Sequence, residues 1–292
     1  MIIGCGDVAR RALPQLAQRY RLYALVRSTD VTQTTDFAAL GVTVIHGDLD
    51  RPATLRRLAG FADLVLHFAP PPERGKLDTR TQHLIAALQR GKILPRRLVY
   101  ISTSGVYGDC GGAWVNETRA DAARTPRALR RIDAERQLRR WGRNGGPIVN
   151  ILRAPGIYAA ERLPVERIRR GDPVLCSEDD VYTNHIHADD LAACALAALR
   201  RGRPNRVYHA SDDSVLQMAE WFDAVAAAFA LAAPRRVSRA EAETQLAPLT
   251  LSFMSESRRL DNSRIKRELR VRLRYPDVSS GLAAIGAARH DT

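Results

Sequence analysis

Lysine is nearly missing from this sequence: Lys76, Lys92 and Lys266 are the only three among 45 lysine and arginine residues. The net charge of +13 at pH 7 is therefore carried by arginines spread along the whole chain. A nucleic-acid surface would gather such charge into a patch and interleave it with aromatics, which make up only 6% of the residues. Here the short clusters Arg130-Arg131, Arg139-Arg140 and Arg169-Arg170 sit at helical spacing beside apolar residues, as solvated faces do. No nucleic-acid partner is expected. Cysteine is also sparse, and Cys5, Cys110, Cys176 and Cys194 form no Cys-x-x-Cys and have no histidine at metal spacing. They read as free thiols in a reducing compartment, with no metal site. No apolar run reaches the roughly 18 residues that span a bilayer. The N-terminus lacks a basic segment followed by an apolar signal region, so the expectation is a cytoplasmic protein with no membrane partner.

What is present is an ordinary globular composition, 45% apolar and 26% charged over 292 residues, enough for one extended α/β domain or two smaller ones. Ile2-Ile3-Gly4-Cys5-Gly6-Asp7-Val8-Ala9 opens the chain as a scrap of strand, a turn on two glycines and the start of an amphipathic helix over Ala9 to Arg19. The first glycine permits the tight turn and the second lets backbone approach a pyrophosphate. The helix start at Asp7 and Val8 then offers free N–H groups to phosphate, and Ala9 takes the small-residue position of the motif. Only Met1 to Ile3 precede the turn, whereas a strand usually has about five or six residues. Either the strand is unusually short or the start is misplaced.

The second apolar run, Tyr23 to Val26, ends at Arg27, about 20 residues after the glycines, where an acidic residue would bind the ribose 2′-hydroxyl of NAD. Arginine there suits the 2′-phosphate of NADP; NAD is the alternative. Further strands are expected over Val42 to Ile45, Ala62 to Phe68 and Arg97 to Ile101, with helices over Pro52 to Ala59 and Thr79 to Leu88. Ala69-Pro70-Pro71-Pro72 stops the fourth strand. This alternation predicts an α/β, Rossmann-type, doubly wound parallel sheet. Its strand ends gather Gly4, Gly6, Arg27, Asp48, Ala69 (with Phe68 and Pro70 beside it) and Thr103 along one rim.

These residues, with Gly47-Asp48-Leu49, Ser102 to Gly108, Leu152 to Tyr158 and Ile186 to Leu191, resemble the extended short-chain dehydrogenase/reductases, the NAD-dependent epimerase/dehydratase group, over nearly the whole chain. The resemblance implies that Asp48 and Leu49 flank the adenine and that Ser102 lies at the cofactor rim. It implies further that Pro155 to Ile157 contact the nicotinamide and that Thr103 positions substrate. It also implies a division into a dinucleotide-binding core over 1–160, with later strands returning to it, and a mixed C-terminal part over 161–292 that contains a small substrate lobe. Residues near Arg162, Arg167 and Ser255 are candidates for lining the substrate pocket.

The family's catalytic pair is Tyr-x-x-x-Lys, in which the phenol transfers a proton and the ammonium lowers its pKa. Counting back from Glu135 puts Arg127 at the Tyr position and Arg131 at the Lys position, as in atypical members of the family. Arg131 can hold a ribose or phosphate, but a guanidinium is a poor proton shuttle. Tyr107 is the nearest substitute acid, with a packing role as the alternative. His187 and Asp190 suggest a dyad, against the plainer reading in which Asp189 or Asp190 caps the helix Leu191 to Arg200 and His187 braces the loop. Further strand and helices are expected over Val207 to Ala210, Leu216 to Leu231, Arg258 to Leu269 and Ser279 to Ala288. The function expected is an NADP(H)-preferring oxidoreductase or epimerase-like enzyme acting on a small carbonyl or sugar-like molecule. The proton would come from water, Tyr107 or substrate, and a homodimer is compatible with the reading. The rival is a non-catalytic NADP(H) sensor.

Overall fold

A computed structural model describes residues 1–27 and 31–290. Its centre is a seven-stranded sheet built from β1 (Ile2–Ile3), β2 (Tyr23–Val26), β3 (Thr43–His46), β4 (Leu64–His67), β5 (Arg97–Thr103), β6 (Ile148–Ala154) and β7 (Arg206–His209). The spatial order is β3-β2-β1-β4-β5-β6-β7, and every neighbouring pair is parallel. The chain leaves β1 toward β3 and then returns to β4 on the other side. Loops at the carboxyl ends of β1 and β4 thus diverge and open a crevice, where such sheets bind ligands.

Parallel strands buried on both faces need helices on both sides, and their runs are accordingly apolar. On one face α1 (Asp7–Ala17) lays Val8, Ala9, Ala12, Leu13 and Leu16 against the sheet, with Pro14 on its exposed side. α2 (Val31–Ala39) adds Phe37, and α5 (Ala188–Arg201), rich in alanine, packs beside α1 in the same core. On the other face the Pro52–Leu58 turn, α3 (Thr79–Leu88) and α4 (Pro126–Arg143) bury Leu55, Leu84, Leu88, Leu138 and Trp141. Both α5 and β7 therefore belong to the core although they follow residue 160.

Among the described residues, four two-stranded pairs lie outside the sheet. Trp114–Val115 pairs with Arg259–Leu260, Gly156–Tyr158 with His185–His187, Val174–Leu175 with Arg236–Val237, and Tyr182–Thr183 with Leu216–Gln217. A separate apolar cluster joins Tyr158, Ile168, Trp221 and Phe222 to Val278, Leu282 and Ile285, from α6 (Met218–Ala228) and α7 (Val278–His290). Two expected helices are shortened by these pairings. Arg258 to Leu269 is helical only over Ser263–Glu268, because Arg259–Leu260 is recruited as a strand by a loop some 145 positions earlier in the chain. Leu216 to Leu231 begins instead at Met218, where Gln217 and Glu220 form a capping box. No helix among the described residues is long and apolar enough to cross a membrane.

Candidate functional site

The crevice rests on two glycines with different duties. Gly4 has φ +91°, and a Cβ on it would lie 2.2 Å from the Ala69 backbone nitrogen, so no other residue fits where β1 meets β4. A Cβ on Gly6 would meet nothing within 4 Å. Packing of the protein does not require that glycine, and the space over it is open to a ligand. Gly6 is also the N-cap of α1 and has no side chain with which to satisfy the first-turn N–H groups, which leaves them to a bound anion.

A cavity of about 640 Å³ opens over this turn. The first turn contributes Gly4, Gly6, Asp7 and Val8; the end of β2 contributes Arg27, which is exposed. Asp48 and Leu49 enter from beyond β3, Phe68, Ala69 and Pro70 from beyond β4, and Ile157 from beyond β6. Two further arginines line it without any spacing signal to announce them. Arg80 clamps Asp50 at 2.6 and 2.8 Å and donates to the Pro70 carbonyl, holding the Asp50 carboxyl below its ordinary pKa through that hydrogen bond. Arg162, expected near substrate, instead faces Asp7 at 3.5 Å on the dinucleotide side.

Asp7 would repel a phosphate were its charge not shared. Arg11 takes it up: Nε donates to Asp7 at 2.6 Å, and the two Nη groups donate to Asp189 at 2.6 Å and Glu161 at 2.5 Å. The same guanidinium ties the N-termini of α1 and α5 together. α5 is capped by His187, whose Nδ1 accepts from the Asp189 N–H, not by Asp189 or Asp190. Asp190 accepts the backbone N–H groups of Arg274 and Tyr275, and His187 is buried, so neither faces a reacting group.

A second cleft, about 450 Å³, shares Pro70, Glu73 and Arg131 with the first. Thr103, Arg127 and Pro155 line it, as does Gly156. Thr103 Oγ1 accepts from the Gly105 N–H and is half-buried. Arg131 donates to the Tyr100 hydroxyl at 3.0 Å and the Ile101 carbonyl at 2.7 Å, a position between the two cavities. Burial pushes the Tyr100 phenol up to about 12. Tyr182, Asn184, Phe253 and Arg258 also line the cleft, and nothing in their local sequence distinguishes them.

Two expected site residues lie elsewhere. Ser102 lines neither cavity; its hydroxyl donates at 2.6 Å to Glu135, which holds Arg153 in a buried two-bond ion pair. Tyr107 is wholly buried, with its hydroxyl 2.5 Å from His209 Nε2 and the Arg153 guanidinium 4.7 Å above its ring. His209 Nδ1 faces the Asp261 carbonyl at 2.9 Å, which can only accept, so that nitrogen carries the proton and Nε2 accepts from Tyr107. Burial holds the His209 pKa at about 3 and raises that of Tyr107. The phenol is a packed donor with no path to the rim. Arg167 lies over Phe222 and Ser255 bonds to the Ser252 carbonyl, and neither lines the cleft.

A family profile described as NAD(P)H-binding matches residues 4–201. No curated protein sequence matches the chain. Among solved structures, a functionally unknown conserved protein from Silicibacter pomeroyi superposes with TM-score 0.78 at 27% identity, covering 98% of this chain and 97% of that one. A double mutant of dTDP-glucose 4,6-dehydratase from Streptomyces venezuelae, solved with NAD bound, gives TM-score 0.79 at 19% identity over 100% and 97% of the two chains. A UDP-N-acetylglucosamine 4-epimerase from Bacillus cereus gives 0.72 at 16% identity over 99% and 98%. At such identities the two enzymes share the fold alone. The chain belongs to the NAD(P)H-binding family, on the fold of the extended short-chain dehydrogenase/reductases.

Proposed function

We propose that the protein is an NADP(H)-preferring oxidoreductase or epimerase-like enzyme acting on a small carbonyl or sugar-like molecule. The observation that carries this reading is a dinucleotide cradle opening directly into a second cleft, with Arg131 lining both. Gly4, Gly6 and the α1 N-terminus hold the pyrophosphate, Asp48 and Leu49 flank the adenine, and Pro155 to Ile157 border the nicotinamide. Arg27 takes the 2′-phosphate. Asp50, a carboxylate that feels the charge of Arg27, is already paired with Arg80. Bound there, the cofactor supplies hydride transfer.

The chain's own residues bind, orient and polarise. Thr103 donates to a substrate oxygen, and Arg131 holds the ribose in place of the ammonium. With Tyr107 locked onto His209, the proton comes from water entering the open cleft. Titration of NADPH, NADH, NADP⁺ and NAD⁺ against wild type and Arg27→Asp tests the cofactor half: the substitution should reverse the preference, and an unchanged preference refutes the role of Arg27. Turnover of NADPH with a panel of carbonyl compounds and nucleotide sugars tests the other half. Arginine at both positions of the catalytic pair favours a second reading, a non-catalytic NADP(H) sensor. Tight cofactor binding with no turnover across the panel selects it.

A further inference from the structure

Three of the four arginines that line the substrate cleft, Arg127, Arg130 and Arg131, have no ion-pair partner among the described residues, whereas Arg258 pairs with Glu256. Arg127 is half-buried, its Cζ 4.0 Å from the Phe253 ring centroid, and its Nη1 donates to the neutral Ser252 hydroxyl at 3.1 Å. Among the described residues no carboxylate pairs with it. Burial lowers its pKa, and the charge of Glu256 offsets that only in part. Arg130 is 8% exposed and bonds only to the Gly75 carbonyl, and its buried Nε has no acceptor. Arg131 has the Tyr100 hydroxyl and the Ile101 carbonyl. Two carboxylates also line the cleft: Glu256 accepts both Nη groups of Arg258 on its Oε2 and acts on Arg127 only at a distance, and Glu73 is exposed.

Leaving a buried cation unpaired is costly, and a fold retains it where a ligand brings the missing charge. We infer that the substrate of this cleft carries an oxyanion, a carboxylate or a phosphate, gripped by Arg127 with Arg130 and Arg131 behind it. Contact with the Phe253 ring braces the guanidinium, and the bond from Nη1 to Ser252 fixes its rotation. The Nε–Nη2 edge is left for a two-bond contact, which matches an oxyanion and not a hydroxyl. The residue standing where a proton donor is expected thus selects the substrate by charge, and the anion lies beside Thr103. A volume of about 450 Å³ suits a small keto or hydroxy acid or its phosphate ester. This inference rests on the oxidoreductase reading for the identity of the cleft, but not for its charge.

The test is titration calorimetry at constant ionic strength, with and without saturating NADPH. The probes are inorganic phosphate, levulinate and uncharged methyl levulinate. Phosphate or levulinate should bind at least tenfold more tightly than the ester, and the better of the two identifies the class of anion. Arg127→Gln should lose at least tenfold in anion affinity while NADPH affinity stays within twofold; Arg127→Lys should recover part of the loss. The inference is overturned if neither phosphate nor levulinate binds more tightly than the ester, or if anion binding is untouched in Arg127→Gln. Should Arg127→Gln fail to fold, Arg127→Lys and the comparison of the two anions with the ester decide alone. Loss of NADPH binding by the wild type would defeat the cofactor reading and leave the anion titration to be judged separately.

Discussion

The two cavities that meet at Arg131 are built from opposite materials. The dinucleotide cradle is made of backbone: a glycine in the left-handed region, a glycine with open space over its Cα, and an uncapped helix start. The cleft beside it is made of long side chains, chiefly Arg127, Arg130 and Arg131 on one helix, positioned by partners from distant parts of the chain. Backbone geometry recognises what many dinucleotides share. Side-chain charge distinguishes one substrate from another, so divergence between relatives of one fold concentrates there.

The sharpest way to break this contrast is within the cradle itself. Gly4→Ala should cost at least ~3 kcal/mol in denaturant unfolding, since it adds a Cβ 2.2 Å from Ala69 N at φ +91°. Gly6→Ala should leave stability within about 0.5 kcal/mol, because its Cβ meets no protein atom within 4 Å, yet weaken NADPH at least tenfold. Equal effects of the two substitutions on folding would erase the distinction between a structural and a ligand-facing glycine.

Acid distinguishes the regions next. His67, beneath the cradle, and His185 and His209, on the cleft side, are buried and held at about 3 by burial, against 6.5 unfolded. Each is neutral in the folded chain, so the unfolded chain binds more protons between those values. The stability they contribute is complete above pH 6.5 and drains as pH falls toward 3. Asp212, raised by burial to about 7, opposes them: the folded chain binds the extra proton between 3.8 and 7, so its contribution weakens as pH rises through that window. Among these four groups the three histidines outweigh Asp212, so their joint contribution to stability falls as pH drops from 6.5 toward 3. His185 stacks on Trp221 at 4.2 Å, so the emission of that indole should shift before NADPH is released if the cleft side loosens first.

A smaller effect is expected from Tyr107→Phe. It removes the donor to His209 Nε2 and should destabilise by about 1–2 kcal/mol, with NADPH affinity and any turnover unchanged. A hundredfold loss of turnover would return Tyr107 to the list of proton donors.

The cradle was legible in the sequence and the cleft was not, for a physical reason. Glycine requirements, strand periodicity and the acid-or-arginine choice after β2 are set within some 30 residues, and the expected strands Tyr23 to Val26 and Arg97 to Ile101 fall where they form. Tyr107 takes its role from His209, 102 positions away, and Arg127 from Ser252, 125 positions away. No local pattern encodes such pairings. The same holds for Arg259–Leu260, whose charged surroundings suggest helix until Trp114–Val115 claims it as a strand. The proximity of Arg162 to Asp7 likewise depends on a turn after Tyr158 that carries no signature, so the sequence leaves it only a candidate for the substrate pocket.

β1 has one more consequence. It is two residues long, yet it joins β2–β3 on one side of the sheet to β4–β7 on the other, through Ile2 and Ile3 and, toward β4, through Met1 as well. The sheet is thus narrowest at its middle, and a dinucleotide lying across Gly4 and Ala69, as proposed, would act as a staple over that seam. In hydrogen-exchange terms, the amides of Ala24, Leu25 and Val26 should open more readily than those of β5 in the free protein, and close when NADPH is added, far from any contact with the nicotinamide end.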